Sequence, residues 1–275
     1  SPLPSHLSPL TSPMLETIEG NLYDFPKYYD LVYGSDWKAE FDFLQACFAK
    51  HVEGRVGRLF EPACGTGRLL IKLANAGYRV SGLDLNPHAV SYCNDRLARA
   101  GHPRSAFVGD MTDFKLPRQA DAAFNTINSF RHLGDEQQAD DHFEAMAAAL
   151  RPGGVYVLGL HLTPTAAEPI EEESWAARRG NLSVLSHMRT EVRDLRRRNE
   201  RVSLLLDVYT PSRQFRIVDA IDFRTYTARQ FKRLLDKHPQ FTITSVYDFT
   251  YDITRPHVLG PASEDVVFVL TRTGG

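Results

Sequence analysis

Glu61-Pro62-Ala63-Cys64-Gly65-Thr66-Gly67-Arg68 is the stretch on which the fold turns. Residues 58–61 before it read as a short strand. Residues 68–76 after it read as a helix, with Leu69, Leu70 and Leu73 on one side and Gly77 as its stop. The turn between them is built of small residues. Such residues let a ligand approach the backbone, and a helix start offers N–H groups with no partner inside the helix. A lone Gly-x-Gly also serves a tight strand-to-helix turn with no ligand at all, so the neighbouring elements must decide.

Working outward, the alternation continues. Residues 78–83 give a second strand, and Asn86-Pro87 opens a helix with Pro in its first turn. Residues 106–108 and 121–124 give a third and a fourth strand. A helix over 135–150 is broken by Pro152-Gly153-Gly154, and residues 155–160 give a fifth strand. Strands alternating with helices from 58 to 162 predict a parallel sheet covered by helices, doubly wound by right-handed crossovers. Upstream, Trp37, Phe41, Leu44 and Phe48 recur at helical spacing, and Trp37 is expected in the core. Downstream the pattern changes. Residues 182–192, 202–209 and 215–225 read as strands without helices between them, with Pro211-Ser212 as a turn. A helix over 227–237, capped by Thr227, and strands over 241–247 and 266–271 close the chain.

The predicted organisation is therefore a flexible Pro/Ser/Leu tail over 1–20, a core with an aromatic leader over 21–180, an antiparallel insertion over 181–225, and the end of the core over 226–275. Composition sets the class. Of 275 residues, 43% are apolar and 24% charged, which is enough to bury a full core. Thirty-two basic against 34 acidic side chains disfavour a strongly basic nucleic-acid binder. Cys47, Cys64 and Cys93 are far apart and form no CxxC, which suits a reducing compartment and argues against a metal site. No membrane-length apolar run and no signal-peptide pattern appear, so the cytoplasm is the expected address.

Two ligands compete for the turn. A nicotinamide dinucleotide would need GxGxxG, but Gly65-Thr66-Gly67-Arg68-Leu69-Leu70 puts Leu70 where the third glycine belongs. The other reading rests on the strand ends. Leu83-Asp84 ends the second strand, Gly109-Asp110-Met111 the third and Asn125-Thr126 the fourth. Ligands of open α/β sheets bind outside these carboxyl ends. Together with Tyr29-Asp30-Leu31-Val32-Tyr33, Gly82-Leu83-Asp84-Leu85 and Leu150-Arg151-Pro152-Gly153-Gly154, these clusters make residues 28–272 resemble the class I S-adenosylmethionine-dependent methyltransferases. The leader and the late insertion are similar to small-molecule members such as the sugar N,N-dimethyltransferases and the glycine N-methyltransferase-like group. Ala63 stands where that family usually has the first glycine of the turn.

The resemblance implies a seven-stranded, mostly parallel sheet of order 3-2-1-4-5-7-6 and the cofactor S-adenosylmethionine, released as S-adenosylhomocysteine. Glu61 would serve the ammonium of the cofactor, Ala63, Gly65, Thr66 and Gly67 would cradle it, and Asp84 beside Leu85 would accept both ribose hydroxyls. Asp110 would accept the adenine amino group, Met111 would pack on the ring, and Asn125 and Thr126 would lie beside the same pocket. Tyr33 would touch the methionine end. A small-molecule acceptor is implied, with His132 or His161 as proton acceptor or hydrogen-bond partner. Either histidine is also an ordinary loop residue, and Tyr33 an ordinary packing residue. The arginines at 178, 179, 189, 193, 196, 197, 198 and 201 suit a solvated hairpin tip or an RNA-contacting ribbon. No aromatic interleaves 193–201, which favours the tip. A non-catalytic S-adenosylmethionine-binding protein and an RNA methyltransferase stand as the alternative functions.

Overall fold

The computed structural model describes residues 15–274, and its first element corrects the predicted tail. Glu16–Glu19 is a strand, β1, whereas residues 1–14 of that tail lie outside the described residues. A 3-10 turn over Leu22–Asp24 follows, then α1 (Pro26–Tyr33) and α2 (Lys38–His51). The alternating core comes next: β2 (Arg58–Pro62), α3 (Arg68–Asn75), β3 (Arg79–Asp84), α4 (Pro87–Arg99), β4 (Ala106–Val108) and β5 (Ala120–Asn125). A 3-10 turn over Ser129–His132 leads to α5 (Glu136–Ala149) and β6 (Leu150–His161).

Four strands then run in succession: β7 (Glu172–Arg179), β8 (Leu182–Asp194), β9 (Asn199–Tyr209) and β10 (Gln214–Arg224). The chain closes with α6 (Ala228–Leu235), β11 (Phe241–Asp248) and β12 (Asp265–Arg272). The antiparallel stretch therefore begins at Glu172, earlier than the predicted boundary at 181.

The larger sheet has the order β11-β12-β6-β5-β2-β3-β4. Counting only its own strands along the chain, this is 3-2-1-4-5-7-6. β12 lies antiparallel to β6 and to β11, and the remaining neighbours are parallel. Period-two alternation divides the core. Leu59, Val155, Val157, Val267 and Val269 face α2, α3 and α4, while Phe60, Tyr156, Leu158, Phe268 and Leu270 face α5 and α6. Each such side chain, fully buried, contributes roughly 1.5–3 kcal/mol.

The second sheet has the order β1-β10-β9-β8-β7. Along β9, Val202, Leu204, Leu206 and Val208 are buried in alternation with half-buried residues. Leu204, Leu206 and Val208 pack with Phe215, Ile217 and the leader residues Leu22, Leu31 and Val32. Leader and insertion thus share one core.

The β8–β9 hairpin tip is not wholly solvated. Arg196 and Arg197 are exposed, but Arg198 donates to Glu136 Oε2 (2.8 Å) and lies over the Tyr226 ring (4.7 Å). Arg193 pairs with Glu200 (2.8 Å), Arg189 with Glu172 (3.2 Å) and Arg201 with Asp222 (2.9 Å).

Candidate functional site

The carboxyl ends of β2, β3 and β4 open into a cavity of about 470 Å³. Its floor includes Ala63, Gly65, Thr66, Asp84, Leu85 and Met111. A smaller recess of about 50 Å³, sharing Ala63, Gly65 and Thr66, adds Glu61, Asn125 and Thr126. The turn that joins them is shaped by backbone geometry. Ala63 (φ 52°), Gly65 (φ 50°) and Gly67 (φ 72°) are left-handed, and a side chain at 63 bears the strain of that region. Gly67 lines neither space. A Cβ there would meet Cys93 Sγ at 2.4 Å, so its role is the close approach of α3 to α4.

Asp84 accepts hydrogen bonds from the N–H of Gly65 (2.8 Å to Oδ2) and of Asn86 (2.8 Å to Oδ1). Each carboxylate oxygen keeps acceptor capacity toward the cavity. Burial raises the Asp84 carboxyl above its ordinary value, against the pull of the two N–H bonds. Burial pushes Glu61 well up, opposed by the Arg68 guanidinium. Glu61 Oε2 and Asn125 Oδ1 are both buried without a hydrogen-bond partner among the described residues, although Asn125 Nδ2 donates to Pro62 O (2.7 Å). Two unmatched acceptors in one recess call for a donor with several N–H groups. An ammonium fits that recess, and a ribose diol fits the open side of Asp84. The residues present therefore suit the ligand the sequence implied.

Other expected contacts fall differently. Asp110 is exposed and lines neither space. Its Oδ1 accepts from the N–H and the hydroxyl of Thr112, both at 2.8 Å, while its neighbours Gly109 and Met111 do face the cavity. Thr66 is buried, and its hydroxyl donates to Asp30 Oδ1 (3.2 Å). Tyr33 faces the cavity with its hydroxyl 2.9 Å from Ser186 Oγ, and burial pushes that hydroxyl up to about 12.

His132 lines the cavity, with Nε2 at 3.0 Å from Tyr23 Oη. Poor solvation, with the Arg131 guanidinium behind it, lowers it to about 4, so the imidazole is neutral at neutral pH. His161 does not line the main cavity. It sits in an adjoining chamber of about 70 Å³, with Nδ1 2.6 Å from Asp265 and Nε2 3.3 Å from Glu264. Both ring nitrogens thus face carboxylates.

Several residues around the site had no individual role assigned from the sequence. Tyr29 faces both spaces and lies 4.7 Å from Tyr33, ring to ring. Their i, i+4 spacing was the available signal. Tyr23 carried no such signal. Asp30, buried, binds both Thr66 and the Arg96 guanidinium, which clamps the leader onto the Gly-rich turn. Met188, Leu204, Ile221 and Phe223 line the cavity from β8, β9 and β10. Among the described residues, no three His, Cys, Asp or Glu side chains are placed to hold a metal, and no helix is long and apolar enough to cross a membrane.

Comparisons with known proteins agree with this geometry. Residues 60–154 match the methyltransferase domain family. The dTDP-3-amino-3,6-dideoxy-alpha-D-glucopyranose N,N-dimethyltransferase of Streptomyces fradiae is 32% identical over 139 residues, 49% of this chain and 52% of that one. The chain thus spans about half the length of that curated relative. The crystal structure of a S-adenosylmethionine-dependent methyltransferase from Clostridium acetobutylicum ATCC 824 superposes with a TM-score of 0.74 at 18% identity, covering 92% of this chain and 100% of that one. The sugar N-methyltransferase KedS8 from Streptoalloteichus sp ATCC 53650 gives 0.71 at 20% identity, covering 93% and 94%. At such identities the structural likeness speaks for the fold, while the domain match and the sequence relative speak for the family. Residues 60–154 thus carry a methyltransferase domain, within a chain whose fold is that of S-adenosylmethionine-dependent methyltransferases of known structure.

Proposed function

We propose that this protein methylates a small-molecule acceptor, with S-adenosylmethionine as donor. One observation carries the reading: a single cavity runs from the Gly-rich turn and Asp84 to a wall formed by the second sheet. Bound S-adenosylmethionine supplies a methyl group activated by its sulfonium. Asp84 accepts from the ribose hydroxyls, and Glu61 with Asn125 accepts from the ammonium. Tyr29 and Tyr33 flank the methionine end, and β8, β9 and β10 cover the acceptor. The relative from Streptomyces fradiae is named for methylating an amine, and an uncharged amine needs no strong base. The protein's contribution is then mainly alignment and exclusion of water. His132, held neutral with Tyr23, acts as a hydrogen-bonding partner for the acceptor and not as a strong base.

The test is direct. S-adenosylhomocysteine should raise the melting temperature, since a ligand of the native state at a hundred times its Kd stabilises by about 2.7 kcal/mol. Methyl-labelled S-adenosylmethionine should pass its label to a small product. A shift with NAD and none with S-adenosylhomocysteine would overturn the reading.

A further inference from the structure

We infer that the acceptor entering this cavity is an uncharged, largely apolar small molecule, and not one linked to a phosphate or nucleotide. The inference rests on the methyltransferase reading and narrows its substrate class. It starts from what the acceptor-side wall is made of. Met188, Leu204, Ile221 and Phe223 come from the second sheet, faced by Ile127 and the leader tyrosines. Thioether, branched aliphatic and aromatic surface offers contact area but few hydrogen bonds. The polar groups on this side are the Tyr23–His132 pair, with Asn128 and Ser129 beside it.

Phosphate recognition needs guanidinium or ammonium groups, or free N–H groups at a helix start. Among the described residues, no Lys or Arg lines the cavity. Residues 1–14 contain neither type, so they bring none. Five arginines of the surrounding elements are each bound to a carboxylate. Arg96 pairs with Asp30, Arg68 with Glu40, Arg131 and Arg193 with Glu200, and Arg189 with Glu172.

The helix starts offer no substitute. At α4, Asn86 Oδ1 already accepts from the N–H groups of His88 (2.8 Å) and Ala89 (3.1 Å). At α3 the approach is flanked by Asp84, which repels an anion, and by the buried Glu61, which offers it no positive charge. A diphosphate here would lose its hydration with nothing to replace it. The relative from Streptomyces fradiae, by its name, acts on a dTDP-linked sugar, so this cavity points to a different acceptor within the same chemistry.

The experiment uses the full chain saturated with S-adenosylhomocysteine and two probes. N-phenyl-1-naphthylamine is uncharged and apolar, and it fluoresces when it leaves water. Thymidine diphosphate carries the anionic group. The apolar probe should bind with a saturable gain in fluorescence. Ile221→Arg and Met188→Arg should each weaken it roughly tenfold or more, because each sets a charge against apolar surface; melting curves of both variants report folding. Thymidine diphosphate should show no calorimetric signal at about 1 mM. Binding of thymidine diphosphate, absence of a fluorescence gain, or wild-type probe affinity in both folded variants would each overturn the inference. A failure of S-adenosylhomocysteine to shift the melting temperature would instead remove the methyltransferase reading beneath it.

Discussion

Asp84 carries the sharpest expectation at the scale of single residues. Its carboxylate is fixed by two backbone N–H groups and turned to the cavity. Asp84→Ala should weaken S-adenosylhomocysteine by roughly 1.5–3 kcal/mol, the worth of hydrogen bonds to a charged group. Calorimetry measures this, and a melting curve should show the variant folded, because the residue ends a strand outside the core. Unchanged affinity would sink the ribose assignment. His142 makes a second prediction. It is fully buried, with Nδ1 2.9 Å from Met111 O and Nε2 3.1 Å from Tyr156 Oη. Burial lowers it to about 4. Between that value and the ordinary 6.5 the unfolded chain binds the extra proton, so stability is complete above about 6.5 and is lost as pH falls toward 4. The loss is on the order of 3 kcal/mol. Urea unfolding across that window should show this slope, and His142→Gln should flatten it. Glu61 and Asp84, which line the two spaces, were legible as candidates because they sit at the ends of strands flanking a Gly-rich turn. Asp110 closely follows a strand too, yet it accepts from Thr112, and no spacing rule separates a capping carboxylate from a ligand-facing one.

Among elements, the contact that sets the second sheet against the core is the buried cluster of Arg131, Glu200 and Arg193. Arg131 follows β5 beside His132, and its guanidinium pairs with Glu200 on β9 and donates to Arg224 O (2.9 Å). Arg193 on β8 donates to the same carboxylate. Glu200→Ala leaves two guanidinium groups beside the vacated site, one of them buried, and should cost about 3–5 kcal/mol. Denaturant unfolding checks it, and a loss under about 1 kcal/mol would mean that water reaches the cluster. The helices and strands of residues 58–162 were readable because each carries its own periodicity and its own stop. β1 and β7 were not. β1 is four residues long and pairs with β10, Glu16 opposite Phe215, so nothing local marks it. β7 is exposed along almost its whole length, and without a buried face a strand has no alternation to read.

For the whole molecule, the question is whether a second sheet rich in arginine makes the protein a reader of nucleic acid. Its charges argue otherwise. Net charge is -2, and the arginines of β8, β9 and the turn between them are mostly spent on Glu172, Glu200, Glu136 and Asp222. Three of those partners lie outside the stretch in which sequence alone seeks them, which is why the ribbon reads as more basic than it folds. The hairpin tip separates two roles. Arg196 and Arg197 are exposed, so Arg196→Ser with Arg197→Ser should change stability by no more than about 0.5 kcal/mol and leave methyl transfer intact. Arg198 is pinned between Glu136, Thr225 O and the Tyr226 ring. Arg198→Ser should therefore cost about 1–3 kcal/mol in urea unfolding, through lost packing and lost hydrogen bonds. Transfer to a small acceptor should stay flat as salt rises. Binding of an RNA through these side chains would instead fall with a log–log slope of about −0.7 to −0.9 per phosphate neutralised, and the double variant would make that slope shallower. A flat salt profile with an intact double variant and a destabilised Arg198→Ser fits a ribbon that braces the roof of a small-molecule cavity; a steep profile relieved by the double variant would make the ribbon a polyanion-binding surface.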